Sequence, residues 1–114
     1  MRLVIDASVA LAWCFEDEAS AETDAIADEV RRDGALVPEL FHLEIANIML
    51  QAERKGRLTA AAVAARLHLL GELSIITDPE TSKRAWHDGL SLARSHRLTS
   101  YDAAYLELAL RTGS

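Results

Sequence analysis

Cysteine is almost absent. Cys14 stands alone, which excludes an internal disulfide framework and fits a reducing compartment. Proline occurs twice and glycine five times, too seldom for a loop-rich or low-complexity chain. Good helix formers such as Ala, Leu, Glu and Arg take their place and point to helices joined by short connections. Long apolar runs are missing as well. Leu3-Val4-Ile5 stops at Asp6 and Ala60–Ala65 stops at Arg66, far short of the ~20 residues that a membrane span needs. Neither a secretory signal nor a membrane segment is visible, and a cytoplasmic protein is expected. A Walker loop, a GxGxxG turn and a GxSxG elbow are also lacking, which removes the usual nucleotide-binding and acyl-transfer signatures.

What remains is ample core material. Half of the 114 residues are hydrophobic, enough for one compact domain over residues 1–114 and too few positions for two cores. The formal net charge is −6, and residues 1–33 hold nine acids against three bases. An acidic protein binds nucleic acid poorly through phosphate neutralisation alone. A bound cation inverts that logic by turning a carboxylate cluster into a phosphate-attracting patch. The charge therefore predicts weak nonspecific binding without excluding an RNA substrate.

Short apolar runs alternate with helical segments. Strands are expected at Leu3–Ile5, Ala35–Val37, Leu73–Thr77 and Leu98–Thr99. Helices are expected over Ser8–Phe15, Ala21–Arg32, Leu40–Lys55, Ala60–Leu70, Glu80–Ser95 and Ser100–Arg111. The clearest is Leu40–Lys55, where Phe41, Ile45, Ile48, Met49 and Ala52 recur at helical spacing. Thr59 reads as a helix cap, and Gly34, Gly56 and Gly71 as stops. This alternation implies a mainly parallel sheet covered on both faces. Ligands of such sheets bind beyond the carboxyl ends of the strands.

Three acids occupy suggestive positions. Asp6 directly follows the first strand, and Asp102 follows the Leu98-Thr99 pair at a helix start. Glu44 lies inside the Leu40–Lys55 helix, in a polar stripe with Asn47 and Gln51. Each has a purely structural explanation: Asp6 or Ser8 as a helix cap, Asp102 as a partner of the helix dipole, Glu44 as part of a solvated face. Together they say more. Carboxylates ~4 Å apart repel by about 4 kcal/mol at an effective dielectric of 20, so convergence demands protonation or a cation. Oxygen donors favour Mg²⁺ or Mn²⁺ over zinc, and such an ion polarises a phosphodiester and activates water.

The remaining candidates read as structural. His42, His68, His87 and His96 are scattered without zinc-ligand spacing. Cys14 sits in an apolar segment as an inert core thiol, and Trp13 and Phe15 beside it read as core more than as interface. Glu16 to Glu29 is a solvated acidic face. Arg94 and Arg97 either approach a phosphate backbone or complement the dipole at the end of their helix.

Three segments resemble, in order, the motifs of PIN domains, especially VapC-type toxins of bacterial toxin–antitoxin pairs. They are Val4-Ile5-Asp6-Ala7-Ser8-Val9-Ala10-Leu11-Ala12-Trp13, Pro38-Glu39-Leu40-Phe41-His42-Leu43-Glu44-Ile45-Ala46-Asn47, and Leu98-Thr99-Ser100-Tyr101-Asp102-Ala103-Ala104-Tyr105-Leu106. The resemblance implies a three-layer α/β/α domain and assigns Asp6, Glu44 and Asp102 to the metal site, with Ser8 and Asn47 in support. It also implies an Mg²⁺- or Mn²⁺-dependent ribonuclease that forms a homodimer and is inhibited by a small VapB-like antitoxin. The family pattern continues with a fifth strand and a fourth acid, whereas this sequence ends at Leu110-Arg111-Thr112-Gly113-Ser114. The expectation is thus a sheet of order 3-2-1-4 lacking its fifth strand. That shortness supports a second reading, a catalytically inactive module retained for binding or dimerisation. A third reading, a phosphotransfer or receiver-like domain, finds only Asp78 near the end of strand three as a phosphoacceptor. The second Asp that a related phosphatase would need is replaced by Ser8.

Overall fold

The computed structural model describes residues 2–113; Met1 and Ser114, the ends of the expected domain span, lie outside the described residues. The sheet has three parallel strands, β1 (Leu3–Val4), β2 (Ala35–Val37) and β3 (Ile75–Thr77). Strand β2 is central: Leu3 pairs with Ala35, and Ala35 with Ile75. Parallel neighbours cannot be joined by a tight turn, so every connection is helical. Helices α1 (Ala7–Cys14) and α2 (Ala21–Asp33) link β1 to β2, and α3 (Leu40–Arg54) and α4 (Ala60–Gly71) link β2 to β3. Beyond β3 come α5 (Thr81–Arg84), α6 (Leu90–His96) and α7 (Ser100–Thr112).

The order 3-2-1 matches the expectation, but Leu98-Thr99 forms no strand among the described residues. Its threonine serves the next helix, with Thr99 Oγ1 accepting from the Asp102 backbone N–H at 3.1 Å. A cap satisfies a helix-end donor that two residues of strand could not. The helix expected over residues 80–95 is also interrupted. A π turn, Ala85–Gly89, separates α5 from α6, and a Cβ at Gly89 would sit 3.4 Å from the Arg84 carbonyl oxygen.

Apolar spacing fills the core as the periodicity of α3 requires. Phe41, Ile45, Met49 and Ala52 are all buried, each large side chain contributing roughly 1.5–3 kcal/mol by leaving water. From α1, Ala7, Ala10, Leu11 and Cys14 join Phe15, Val30 and Val37 in the same cluster. Burial raises the Cys14 thiol pKa, consistent with an inert core thiol. Trp13 Nε1 donates to the Thr23 carbonyl at 2.8 Å, and the Arg57 guanidinium lies 4.7 Å from the Phe15 ring centroid. Both aromatics therefore serve packing. Gly34 ends α2 with φ +82, and a Cβ there would meet the Ser74 carbonyl oxygen at 3.0 Å. Glycine at that point lets Ala35 N–H reach Ser74 O at 2.8 Å and enter β2.

One polar network is buried. Arg111, near the end of α7, forks onto Asp78 after β3, with Nη2 to Oδ2 at 2.7 Å and Nη1 to Oδ1 at 3.2 Å. The same guanidinium binds Glu107 through Nε at 2.7 Å and Nη2 at 3.1 Å. Asp78 and Glu107 are only 7% and 4% exposed. Asp78 also accepts from Thr81 Oγ1 at 2.7 Å. Its carboxylate is thus committed to structure, which removes the support for a phosphoacceptor role.

Replacing Arg111 by Met would leave the buried Asp78 without a counter-charge and the buried Glu107 with only the more distant Arg84, whose Nε lies 3.9 Å from Glu107 Oε1. A loss of about 3–5 kcal/mol in unfolding free energy is expected, read by urea denaturation. A change below ~1 kcal/mol would show that water, not the guanidinium, solvates the pair. The Asp78 pKa is lowered, chiefly by its Arg111 hydrogen bonds. Its contribution is therefore complete above the unfolded value of about 3.9 and is lost as pH falls through the lower folded value. Acid titration of Asp78→Asn should show a shallower decline in stability below about pH 4 than wild type.

Candidate metal centre

Asp6 leaves β1 and caps α1. Its Oδ1 accepts from the Val9 backbone N–H at 3.1 Å and from Ser8 Oγ at 2.7 Å. The capping explanation is therefore correct for one carboxylate oxygen, while Oδ2 has no partner among the described residues. Asp102 stands exposed in the first turn of α7. Because Thr99 supplies the cap, the Asp102 side chain is not spent on its own helix.

Glu44 projects from the first half of α3, half-buried. Its Oε1 accepts from the Tyr105 hydroxyl at 2.5 Å, a contact spanning 61 residues of sequence. Tyr105 lies three residues beyond Asp102 on α7, so both side chains share one helical face. The hydroxyl pKa is raised first by burial, then by the Glu44 hydrogen bond, then by the charges of Glu44, Asp6 and Asp102. One phenol thus experiences all three acids. Among the described residues their oxygens do not close into a group of three at metal-ligand spacing; Glu44 contacts the tyrosine hydroxyl, and Asp6 and Asp102 act on it through their charge.

The two supporting residues differ. Ser8 binds Asp6 directly. Asn47, one turn along α3 from Glu44, is exposed and makes no side-chain hydrogen bond among the described residues. Of the histidines, His42 Nε2 lies 2.7 Å from Thr77 Oγ1 and His68 pairs with Glu72 at 3.3 Å, so both are engaged away from the acids. Sequence reasoning misses Tyr105 as a chemical group, although its spacing from Asp102 is a usable signal.

A cleft of about 550 Å³ opens beside Asp6 and Tyr105, walled by Ile5, Val9, Ile26 and Leu106. A larger cavity of about 840 Å³ between α1, α2 and α4 contains none of the three acids. The smaller cleft is the one that reaches the candidate centre, through Asp6 and through the Tyr105 that hydrogen-bonds Glu44, whereas the larger is lined by other carboxylates, Glu16, Asp24, Asp28 and Glu72. The donor set fits such an ion: the candidate ligating atoms are all carboxylate oxygens, and Asp6 Oδ2 and Glu44 Oε2 are unpaired among the described residues.

The PIN domain family model matches residues 3–114. Ribonuclease VapC3 of Pyrobaculum aerophilum is 29% identical over 113 residues, covering 99% of this chain and 85% of that protein. The crystal structure of PAE2754 from Pyrobaculum aerophilum superposes with a TM-score of 0.69 at 24% identity, over 99% of this chain and 76% of the other. At that identity the likeness is one of fold.

Asp102 is exposed and makes no side-chain hydrogen bond or ion pair among the described residues; a cation held by it and the other two acids would stabilise the folded chain. Asp102→Asn should therefore leave the metal-free melting temperature nearly unchanged. It should also abolish most of the stabilisation by Mn²⁺, which amounts to about 2.7 kcal/mol at 100 times the dissociation constant. Differential scanning fluorimetry with and without Mn²⁺ reads both, and an unchanged Mn²⁺ response would remove Asp102 from the site.

Proposed function

The chain belongs to the PIN domain family, and on that basis we propose that it is a metal-dependent endoribonuclease, the toxin of a VapBC-like toxin–antitoxin pair. What supports this reading is the Tyr105 hydroxyl, which hydrogen-bonds Glu44 and feels the charges of Asp6 and Asp102 from two other parts of the chain. The name of the relative, Ribonuclease VapC3, supports the same chemistry. Its cofactor is Mg²⁺ or Mn²⁺. No helix among the described residues is long and apolar enough to cross a membrane, and we place the protein in the cytoplasm as a homodimer, inhibited by a VapB-like antitoxin.

When bound, the cation supplies positive charge at the scissile phosphate and a water of lowered pKa. The chain's own residues do the rest. Asp6, Glu44 and Asp102 would hold the ion, and Ser8 together with the Val9 backbone fixes the Asp6 carboxylate on a rigid helix start. No side chain forms a covalent bond to the RNA. Arg94 and Arg97 are exposed and have no acidic partner among the described residues. They lie just ahead of Asp102, where a phosphate backbone entering the site needs positive charge. In a chain of net charge −6, such cations matter disproportionately.

Asp6→Asn preserves the cap, since asparagine caps as well as aspartate, and removes one ligand charge. RNA cleavage in Mg²⁺ or Mn²⁺ should fall about a hundredfold or more; undiminished cleavage sinks the mechanism. The double variant Arg94→Ala, Arg97→Ala should bind RNA more weakly whatever its sequence. Its plot of log affinity against log salt should be shallower by roughly 0.7 for each phosphate that is no longer neutralised. An unaltered slope means that the strand runs elsewhere.

A further inference from the structure

We propose that Tyr105 is a positioning residue for the metal centre: its hydroxyl holds Glu44 by Oε1 and leaves Oε2 as the oxygen available to a divalent cation. The inference rests on the nuclease reading above and deepens it. Glutamate has three side-chain torsions and loses much rotamer freedom when fixed. Glu44 is half-buried on α3, and among the described residues Tyr105 is its one hydrogen-bond partner. Tyrosine is suited to the task, because its ring has two torsions and here packs against the core cluster. The hydroxyl lies 2.5 Å from Glu44 Oε1, within the short range of O–H hydrogen bonds to carboxylates.

Asp6 is treated the same way. One oxygen is engaged by protein donors, Ser8 and the Val9 N–H, and the other is left unpaired. Both acids thus have the division expected where outer groups orient metal ligands. The tyrosine adds a link that the serine cannot. Being one turn from Asp102 on α7, it fixes Glu44 of α3 relative to the acid of a different helix.

The test is Tyr105→Phe, which keeps the ring and deletes only the donor. Mn²⁺ binding is measured by calorimetry on the full chain, alongside melting temperatures with and without Mn²⁺. A dissociation constant weakened about 10–100-fold is expected, with a smaller Mn²⁺-induced rise in melting temperature. A merely structural contact would lower both melting temperatures together and leave the dissociation constant unchanged, and that result overturns the proposal. Should the variant fold poorly, wild type gives a second readout. Saturating Mg²⁺ should perturb the near-ultraviolet absorption of a tyrosine, and Tyr101→Phe should retain the signal because Tyr101 is exposed. Absence of that signal also overturns the proposal. Wild type that binds no Mn²⁺ at all defeats the nuclease reading itself, whereas equal binding by wild type and Tyr105→Phe defeats only the role of the tyrosine.

Discussion

The guanidinium of Arg111 holds the last helix to the carboxyl end of the sheet. It neutralises Asp78, which follows β3, and Glu107 on its own helix, both almost fully buried. Such an arrangement is weak evidence for stability in itself, since desolvating three charges costs about as much as their attraction returns. Its value is positional. A bidentate fork accepts only one approach of α7 to the β3 end, and α7 carries Asp102 and Tyr105. Apolar packing through Ala103, Ala104 and Leu108 would tolerate small slides of the helix that the fork does not.

With α7 fixed, the rest of the candidate centre follows from topology. Parallel strands all present their carboxyl ends on one side, where Asp6 leaves β1, and α7 packs against β1. Glu44 comes from within α3, one turn past its start, and is brought in by the tyrosine. Glu44 then contacts Tyr105, whose hydroxyl also feels the charges of Asp6 and Asp102. Donor chemistry of this kind reconciles an RNA substrate with a chain whose overall charge would otherwise discourage it.

Legibility in the sequence tracks the length and periodicity of each element. Helix α3 and strand β2 are readable almost to the residue, because Phe41, Ile45, Met49 and Ala52 repeat cleanly and Ala35–Val37 is bounded by Gly34 and Pro38. Leu98-Thr99 misleads because a β-branched residue beside leucine resembles a strand, while a threonine hydroxyl before a helix resembles a cap; only the tertiary setting chooses. The π turn leaves no mark, since its residues continue the helical pattern on either side. In the site, the end of β1 points to Asp6, the strand expected at Leu98-Thr99 ahead of Asp102 does not form, and Glu44 rests on motif resemblance. Tyr105 stays hidden because an aromatic at helical spacing looks like core, and half of it is. Arg111 and Glu107 stay hidden for a related reason: an i, i+4 ion pair on a terminal helix reads as surface decoration until burial is known.

The dispersal of Asp6, Glu44 and Asp102 along the chain has a consequence for biosynthesis. Translation proceeds at about 5–20 residues per second, from the amino terminus. Strand β1 and its acid emerge first, yet nothing can complete the cluster until residue 102 has been made and α7 has docked. Any chemistry that needs all three acids is therefore withheld from the nascent polypeptide by connectivity alone.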